Sequence, residues 1–261
     1  MSKPRKRGSK WADLTAGIEQ ARLAGADGGL ASAGMRDEGW HAVSAATGSM
    51  RYRAGELAAD RLIHLTGTLA GVVGSAIMLG IAADVADRST FLASLIYSVC
   101  LLTMLGGSAA YNLASIAPRR RLLRRFDHAA IFLMIAGTYT PFTTCRLDGV
   151  WAIGMTAAVW IGAVTGAVMK LICPNRMERV SIVAYLALGW MILVGIRPML
   201  SSVDVRTALL IGVGGVLYSI GTAFHLWRAL PFHNAIWHSF VVVAASCHYA
   251  AILHGVVLAR S

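Results

Sequence analysis

Seven stretches of the chain are apolar almost without interruption, at about residues 61–83, 91–115, 127–145, 150–170, 180–200, 207–227 and 235–258. Each has roughly the 17 to 25 residues that an α-helix needs to cross the hydrocarbon core of a bilayer. In hydrocarbon every backbone N–H and C=O must be satisfied within its own segment, so stretches of this length read as helices. The pattern predicts an all-α, polytopic membrane protein, a bundle of seven transmembrane helices occupying residues 55–261. Residues 1–54 mix charge with Gly, Ala and Ser, as in Ala24-Gly-Ala-Asp-Gly-Gly-Leu-Ala-Ser-Ala-Gly34, and carry no sustained period. They read as a mostly disordered basic tail, with a short amphipathic helix around Trp11 to Ala24 as a weaker reading.

The segments between the apolar stretches alternate in charge. Arg119, Arg120, Arg121, Arg124 and Arg125 crowd the second connection, Lys170, Arg176 and Arg179 surround the fourth, and Arg228 marks the sixth. The first carries Asp84, Asp87 and one arginine. The third has Arg146 with Asp148, and the fifth Arg197 and Arg206 with Asp204. Basic residues concentrate on the cytosolic side of membrane proteins, so the N-terminus is predicted to lie in the cytosol and the C-terminus outside.

Composition agrees with this reading. The chain is 56% hydrophobic with a mean hydropathy of +0.61, yet its formal net charge is +11. A basic excess placed in the loops of an apolar chain points to membrane lipids as partners, to no nucleic acid, and to a multi-pass protein of the cell membrane. Cysteines at 100, 145, 173 and 247 show no CxxC or CxxH spacing, so neither a disulfide framework nor a thiolate zinc site is indicated. The basic start, Met1-Ser-Lys-Pro-Arg-Lys-Arg7, is not followed by the apolar core of a signal peptide, which leaves insertion to the first apolar span.

Polar residues inside the spans narrow the chemistry. Gly67 with Gly71, and Gly214 with Gly221, are spaced for close helix packing. Pro141 is expected to kink the third span, with Thr138 or Thr140 satisfying the carbonyl that a proline frees. Other residues gather at one depth. Ser108 and Asn112 lie on one face at the end of the second span, Asp127 and His128 open the third, and Asn234 and His238 open the seventh, again one helical turn apart. His64, with Asp60 one turn before it, opens the first. Four helices thus bring Asp, His, Ser and Asn to one level near the inner hydrocarbon boundary, as a cavity between bundled helices would. Simpler roles exist: Asp127 can cap its helix or pair with Arg124, His128 and His225 can sit at the interface, and His64 can pack against Asp60. His254 reads as an outer-interface residue. His238, an imidazole within a span, is the first candidate for a site.

The order of motifs also carries a resemblance. Glu56-Leu-Ala-Ala-Asp60-Arg-Leu-Ile-His64, Ser108-Ala-Ala-Tyr111-Asn112, Arg125-Phe-Asp127-His128-Ala-Ala-Ile-Phe, Gly137-Thr-Tyr-Thr-Pro-Phe142, Gly214-Gly-Val-Leu-Tyr218-Ser-Ile-Gly221 and Ala235-Ile-Trp-His238-Ser-Phe-Val together resemble the bacterial hemolysin III proteins, within the wider family of progestin and adiponectin receptors. The resemblance covers about residues 55 to 258. It implies a seven-helix bundle with a cytosolic N-terminus and a zinc ion near the cytosolic side, held by one histidine of the second span and a His-x-x-x-His pair of the seventh. It further implies that Ser108 and Asp127 flank a metal-bound water, in a site like that of lipid amide hydrolases, and a role in membrane lipid balance or cytolysis.

This chain departs from the implied ligand set at two of three positions. Asn112 and Asn234 stand where histidines are expected, and His238 remains as a metal ligand. A neutral amide is a poor substitute for imidazole on zinc. His233 is next to Asn234, but one residue rotates a side chain by roughly 100° around a helix, so it does not restore the geometry. A set of Asp127, His128 and His238 is one alternative. The expected function is therefore metal-dependent hydrolysis of a lipid amide or ester, with Ser108 and Asp127 catalytic and with Asn112, Asn234, His64 and His128 in the binding site. The alternative is a metal-free lipid-binding or structural protein, or a pore-former. No polar stripe lines a pore, the last span has no lysine for a retinal Schiff base, and neither paired interrupted helices nor an internal repeat suggests a transporter.

Overall fold

Eight α-helices follow one another in the computed structural model, which describes residues 54–114, 116–173 and 178–259. The predicted tail, with its short helix, falls outside the described residues up to position 53. The helices are α1 (Ala54–Val85), α2 (Arg88–Leu113), α3 (Ala117–Cys145), α4 (Gly149–Ile172), α5 (Glu178–Gly189), α6 (Ile196–Ser202), α7 (Val205–Leu226) and α8 (His233–Ile252). A 3-10 turn, Trp190–Leu193, follows α5, and a π turn, Leu253–Val257, extends α8. No strand occurs among the described residues.

Local chemistry explains where helices begin. Asp87 caps α2: its carboxylate accepts from Ser89 Oγ at 2.6 Å and from Thr90 N at 3.0 Å. These bonds hold the Asp87 carboxyl down at about 2, the Ser89 hydroxyl contributing most. Asp204 caps α7 in the same way, accepting from Thr207 N at 2.8 Å. Pro118 stands in the first turn of α3, where its missing N–H removes no helical bond. α1 starts at Ala54 rather than 61, and α3 at Ala117 rather than 127. In both, Ala, Leu, Glu and Arg, all good helix formers, carry the helix beyond its apolar stretch.

Five helices are long and apolar enough to cross a membrane: α1, α2, α4, α7, and α8 with its π turn. The pair Val180–Leu193 and Ile196–Ser202, bent by 59° at the break between them, makes a sixth candidate where the two count as one span. The break has identifiable causes. Pro198 has no N–H to offer the Val194 carbonyl. Tyr139, from α3, accepts from Ile192 N at 2.8 Å and donates to the Gly189 carbonyl at 2.7 Å, supplying partners to an interrupted backbone. Outward faces are apolar, with exposed Leu62, Leu65 and Leu69 on α1, Ile153 and Ile161 on α4, and Leu209 and Val213 on α7. The molecule is a multi-pass membrane protein.

α3 is well enclosed, burying Ala129, Ala130, Phe132, Met134, Ala136, Tyr139 and Phe142. With 29 residues it is long, but its arginines and threonines keep it out of the most apolar group. It runs unbroken through Pro141. Thr138 donates to the Met134 carbonyl and Thr140 to that of Ala136, so each hydroxyl serves the carbonyl four residues before it rather than that of Gly137. Thr140 also accepts from Trp160 Nε1 of α4 at 3.1 Å.

The paired glycines pack as expected. Gly67 lies against Val242, Gly71 against Leu105, Gly214 against the His248 ring, and Gly221 against Phe240 and Trp237. Near the end of α8, Arg146 donates through Nε to the Gly255 carbonyl at 2.7 Å and through Nη2 to those of Val256 and Ala259 at 3.2 Å. One side chain thus closes carbonyls that the end of the helix leaves open.

Candidate functional site

The first turns of α1 place Glu56, Asp60 and His64 on one face, each four residues after the last. That face meets the start of α8. Phe232, at the corner before α8, has a left-handed backbone (φ 60°), which costs a non-glycine residue about 1–2 kcal/mol. Its N–H donates to Glu56 Oε1 at 3.3 Å, tying the corner to α1.

One turn further, Asp60 meets His238: Nδ1 of the imidazole is 2.6 Å from Oδ1. The second carboxylate oxygen, Oδ2, is 3.6 Å from His64 Nε2. The two imidazole rings lie 4.2 Å apart between centroids. Asp60 and His64 are buried, and His64 Nε2 has no hydrogen-bond partner. Ligand atoms of Asp60, His64 and His238 all lie within 4.8 Å of one another, a grouping that could hold a metal ion. Among the described residues this is the group that meets that condition; Asp127, His128 and His238 do not form one.

Ser108 and Asp127 come together beside it. The Ser108 side chain stands next to the Asp127 carboxylate, which also lies within electrostatic reach of His238, His64 and Arg124. Ser108 is buried and Asp127 half-buried. α2 approaches closely here, since a side chain at Gly107 would touch the Asp127 backbone. Asn112 turns away: its Nδ2 donates to the Ser108 carbonyl at 2.9 Å, spending the amide on its own helix. Asn234 is half-buried one turn before His238. His128 is held through its carbonyl, which accepts from Tyr185 Oη at 2.8 Å. His233 is buried, with Nδ1 3.2 Å from the Leu230 carbonyl of its own turn.

The histidine set of the resembled pattern therefore has only His238 left in place. The three-residue group on α1 and α8 fits a divalent metal better, for its donors are two imidazoles and a carboxylate and one nitrogen is unpartnered. In the sequence Asp60 stands out only as a neighbour of His64. The available signal was its Asp-x-x-x-His spacing on one helical face; what was missing was the partner on α8, 178 residues away.

Comparison with known proteins places these motifs in context. The family model described as "Haemolysin-III related" matches residues 59–249. A hemolysin-3 homolog of Bacillus subtilis (strain 168) is 31% identical over 195 residues, spanning 75% of this chain and 92% of the relative. Hemolysin-3 of Bacillus cereus is also 31% identical over 195 residues, 75% of this chain and 89% of that one. The monocyte to macrophage differentiation factor of Homo sapiens is 26% identical over 205 residues, covering 76% and 83% respectively.

Proposed function

The chain belongs to the haemolysin III family, and from that premise we propose that it hydrolyses an amide or ester bond of a membrane lipid at the site formed by α1, α2, α3 and α8. The observation that carries this reading is the Asp127 carboxylate, with the Ser108 side chain next to it, set beside the Asp60, His64 and His238 group. A base, a hydroxyl that orients it, and imidazoles converge on one point, as hydrolytic sites require. We further propose that α3 completes seven spans, that the arginine-rich end faces the cytosol, and that the protein resides in the cell membrane. At that end the site lies at the polar margin of the bilayer, where the carbonyl linkages of lipids also lie.

Asp127 takes a proton from water as the water oxygen attacks the carbonyl carbon of the lipid. Ser108 donates to Asp127 and keeps its second oxygen aimed at that water. As the C–N or C–O bond breaks, Asp127 returns the proton to the leaving nitrogen or oxygen, giving a carboxylic acid, which then loses its proton to water, and an amine or alcohol. Asp60 fixes the orientation of the His238 ring. Zinc, when bound beside His238, supplies a Lewis acid that makes water more acidic. A separate recess of about 440 Å³ between α4 and α5, lined by Phe132, Gly166, Met169 and Leu188, has the size and apolar walls of a ligand pocket and suits a lipid chain.

The 2.6 Å Asp60–His238 bond also favours a second reading, a metal-free site that binds lipid without cleaving it. Purified protein in vesicles containing ceramides and glycerophospholipids distinguishes them by mass-spectrometric detection of released fatty acid. Hydrolysis predicts release that falls roughly 100- to 10,000-fold in Asp127→Asn. Lipid bound but never cleaved, across the panel and with zinc supplied, would leave the binding reading alone standing.

A further inference from the structure

We infer that Asp60 and His64 of α1 complete a metal site with His238 of α8, taking over the role left by the asparagines at 112 and 234. The inference rests on the reading of the same site proposed above, but its evidence is geometric. The carboxylate of Asp60 turns one oxygen to each imidazole, 2.6 Å to His238 Nδ1 and 3.6 Å to His64 Nε2. Tetrahedral zinc with ligands at about 2.0–2.2 Å sets its donor atoms roughly 3.3 Å apart. The two distances bracket that separation, so the side chains need only small adjustments to surround an ion.

His64 supplies the most specific observation. At 3.6 Å its Nε2 is too far from Asp60 for a hydrogen bond, and it is buried without another partner. A buried imidazole nitrogen left unpaired is unfavourable, and a cation bound at its lone pair removes the deficit. Aspartate and histidine four residues apart on one helix present adjacent donors, and a third donor from a second helix leaves one coordination position open. Asn112 fits this arrangement as a released position: its amide bonds to the Ser108 carbonyl and is not needed for coordination. The metal site has moved from α2 to α1 while His238 stays as the shared ligand.

Elemental analysis of the purified, detergent-solubilised protein tests this, with Co(II) as a spectroscopic probe in place of zinc. One zinc per chain is expected in the native protein and in Asn112→Ala and Asn234→Ala. Asp60→Ala, His64→Ala and His238→Ala should each lose it, by more than the roughly 10- to 100-fold in affinity that removing an outer partner costs. Because an alanine variant can misfold, His64→Cys is the decisive companion: a thiolate at this position keeps the metal and gives the Co(II) form an intense near-ultraviolet charge-transfer band. A native protein that is folded and free of metal after zinc loading overturns the inference. So does zinc retained in both Asp60→Ala and His64→Ala, or a His64→Cys protein whose Co(II) spectrum lacks the thiolate band. Failure here and failure of the hydrolytic reading are separable. Zinc held by these residues without fatty-acid release leaves the metal site standing, and release by metal-free protein leaves only the hydrolysis.

Discussion

Two aspartate–histidine pairs mark the two ends of the last helix, one built from Asp60 and His238 and the other from Asp204 and His254. Their contact distances are similar, 2.6 Å and 2.9 Å. Their surroundings differ. The side chains of His238 and Asp60 are 15% and 11% exposed, whereas those of His254 and Asp204 are 45% and 49% exposed. A second imidazole, a serine and another carboxylate crowd the first pair. The second pair has a different companion: the Asp204 carboxyl is held below the usual range first by its hydrogen bonds from Thr207 and only then by His254. The same two residue types thus make a site in one place and a helix cap with a surface ion pair in the other. Burial and the third partner decide which, because charge interactions strengthen as water is excluded.

The comparison can be sharpened by experiment. The largest effect is expected in chemistry, where Asp127→Asn lowers fatty-acid release by roughly 100- to 10,000-fold. Stability comes next. Asp60→Ala leaves His238 without its partner inside the bundle, and breaking a buried pair costs about 3–5 kcal/mol. A clear fall in the thermal unfolding temperature of the detergent-solubilised protein is expected, against a much smaller one for Asp204→Asn. Equal shifts in the two variants would show that burial does not separate the pairs.

The smallest effect is a dependence on acid. Folding lowers the Asp204 carboxyl pKa, so its contribution to stability is fully present above the ordinary aspartate value of about 3.9 and is lost as pH falls through the lower folded value. The stability difference between the native protein and Asp204→Asn, measured by denaturant unfolding from pH 5 downward, is expected to be full at pH 5. It should shrink below about pH 4. A difference that grows as pH falls from 5 to 3 would contradict this sign.

Much of this arrangement is legible in the residues alone. Apolar runs of membrane length locate the helices, because hydrocarbon leaves little choice of secondary structure. The residues Ser108, Asp127, His64 and His238 are legible as a convergent group from charge bias and helical depth. The meeting of Ser108 with Asp127, and of both imidazoles, agrees with that expectation. Asp60 was not read as more than a neighbour, since its contact on α8 is fixed by how α1 packs and not by local pattern. The break between α5 and α6 also escaped, because the groups that stabilise it belong to Tyr139 on another helix. Asn112 was placed by its position as a site residue, yet its amide is spent on the Ser108 carbonyl. Sequence shows which side chains reach a given depth; packing decides toward what they turn.

The most direct test sets the two ends of the last helix against each other in one assay. Fatty-acid release from lipid vesicles would be measured for His238→Ala and His254→Ala alongside the native protein, with folding checked by size-exclusion profile and unfolding temperature. The account predicts that His238→Ala loses release by about 100-fold or more while His254→Ala keeps it within about twofold. Folded variants that retain release equally, or a His254→Ala protein that loses it while His238→Ala does not, would contradict the placement of the site.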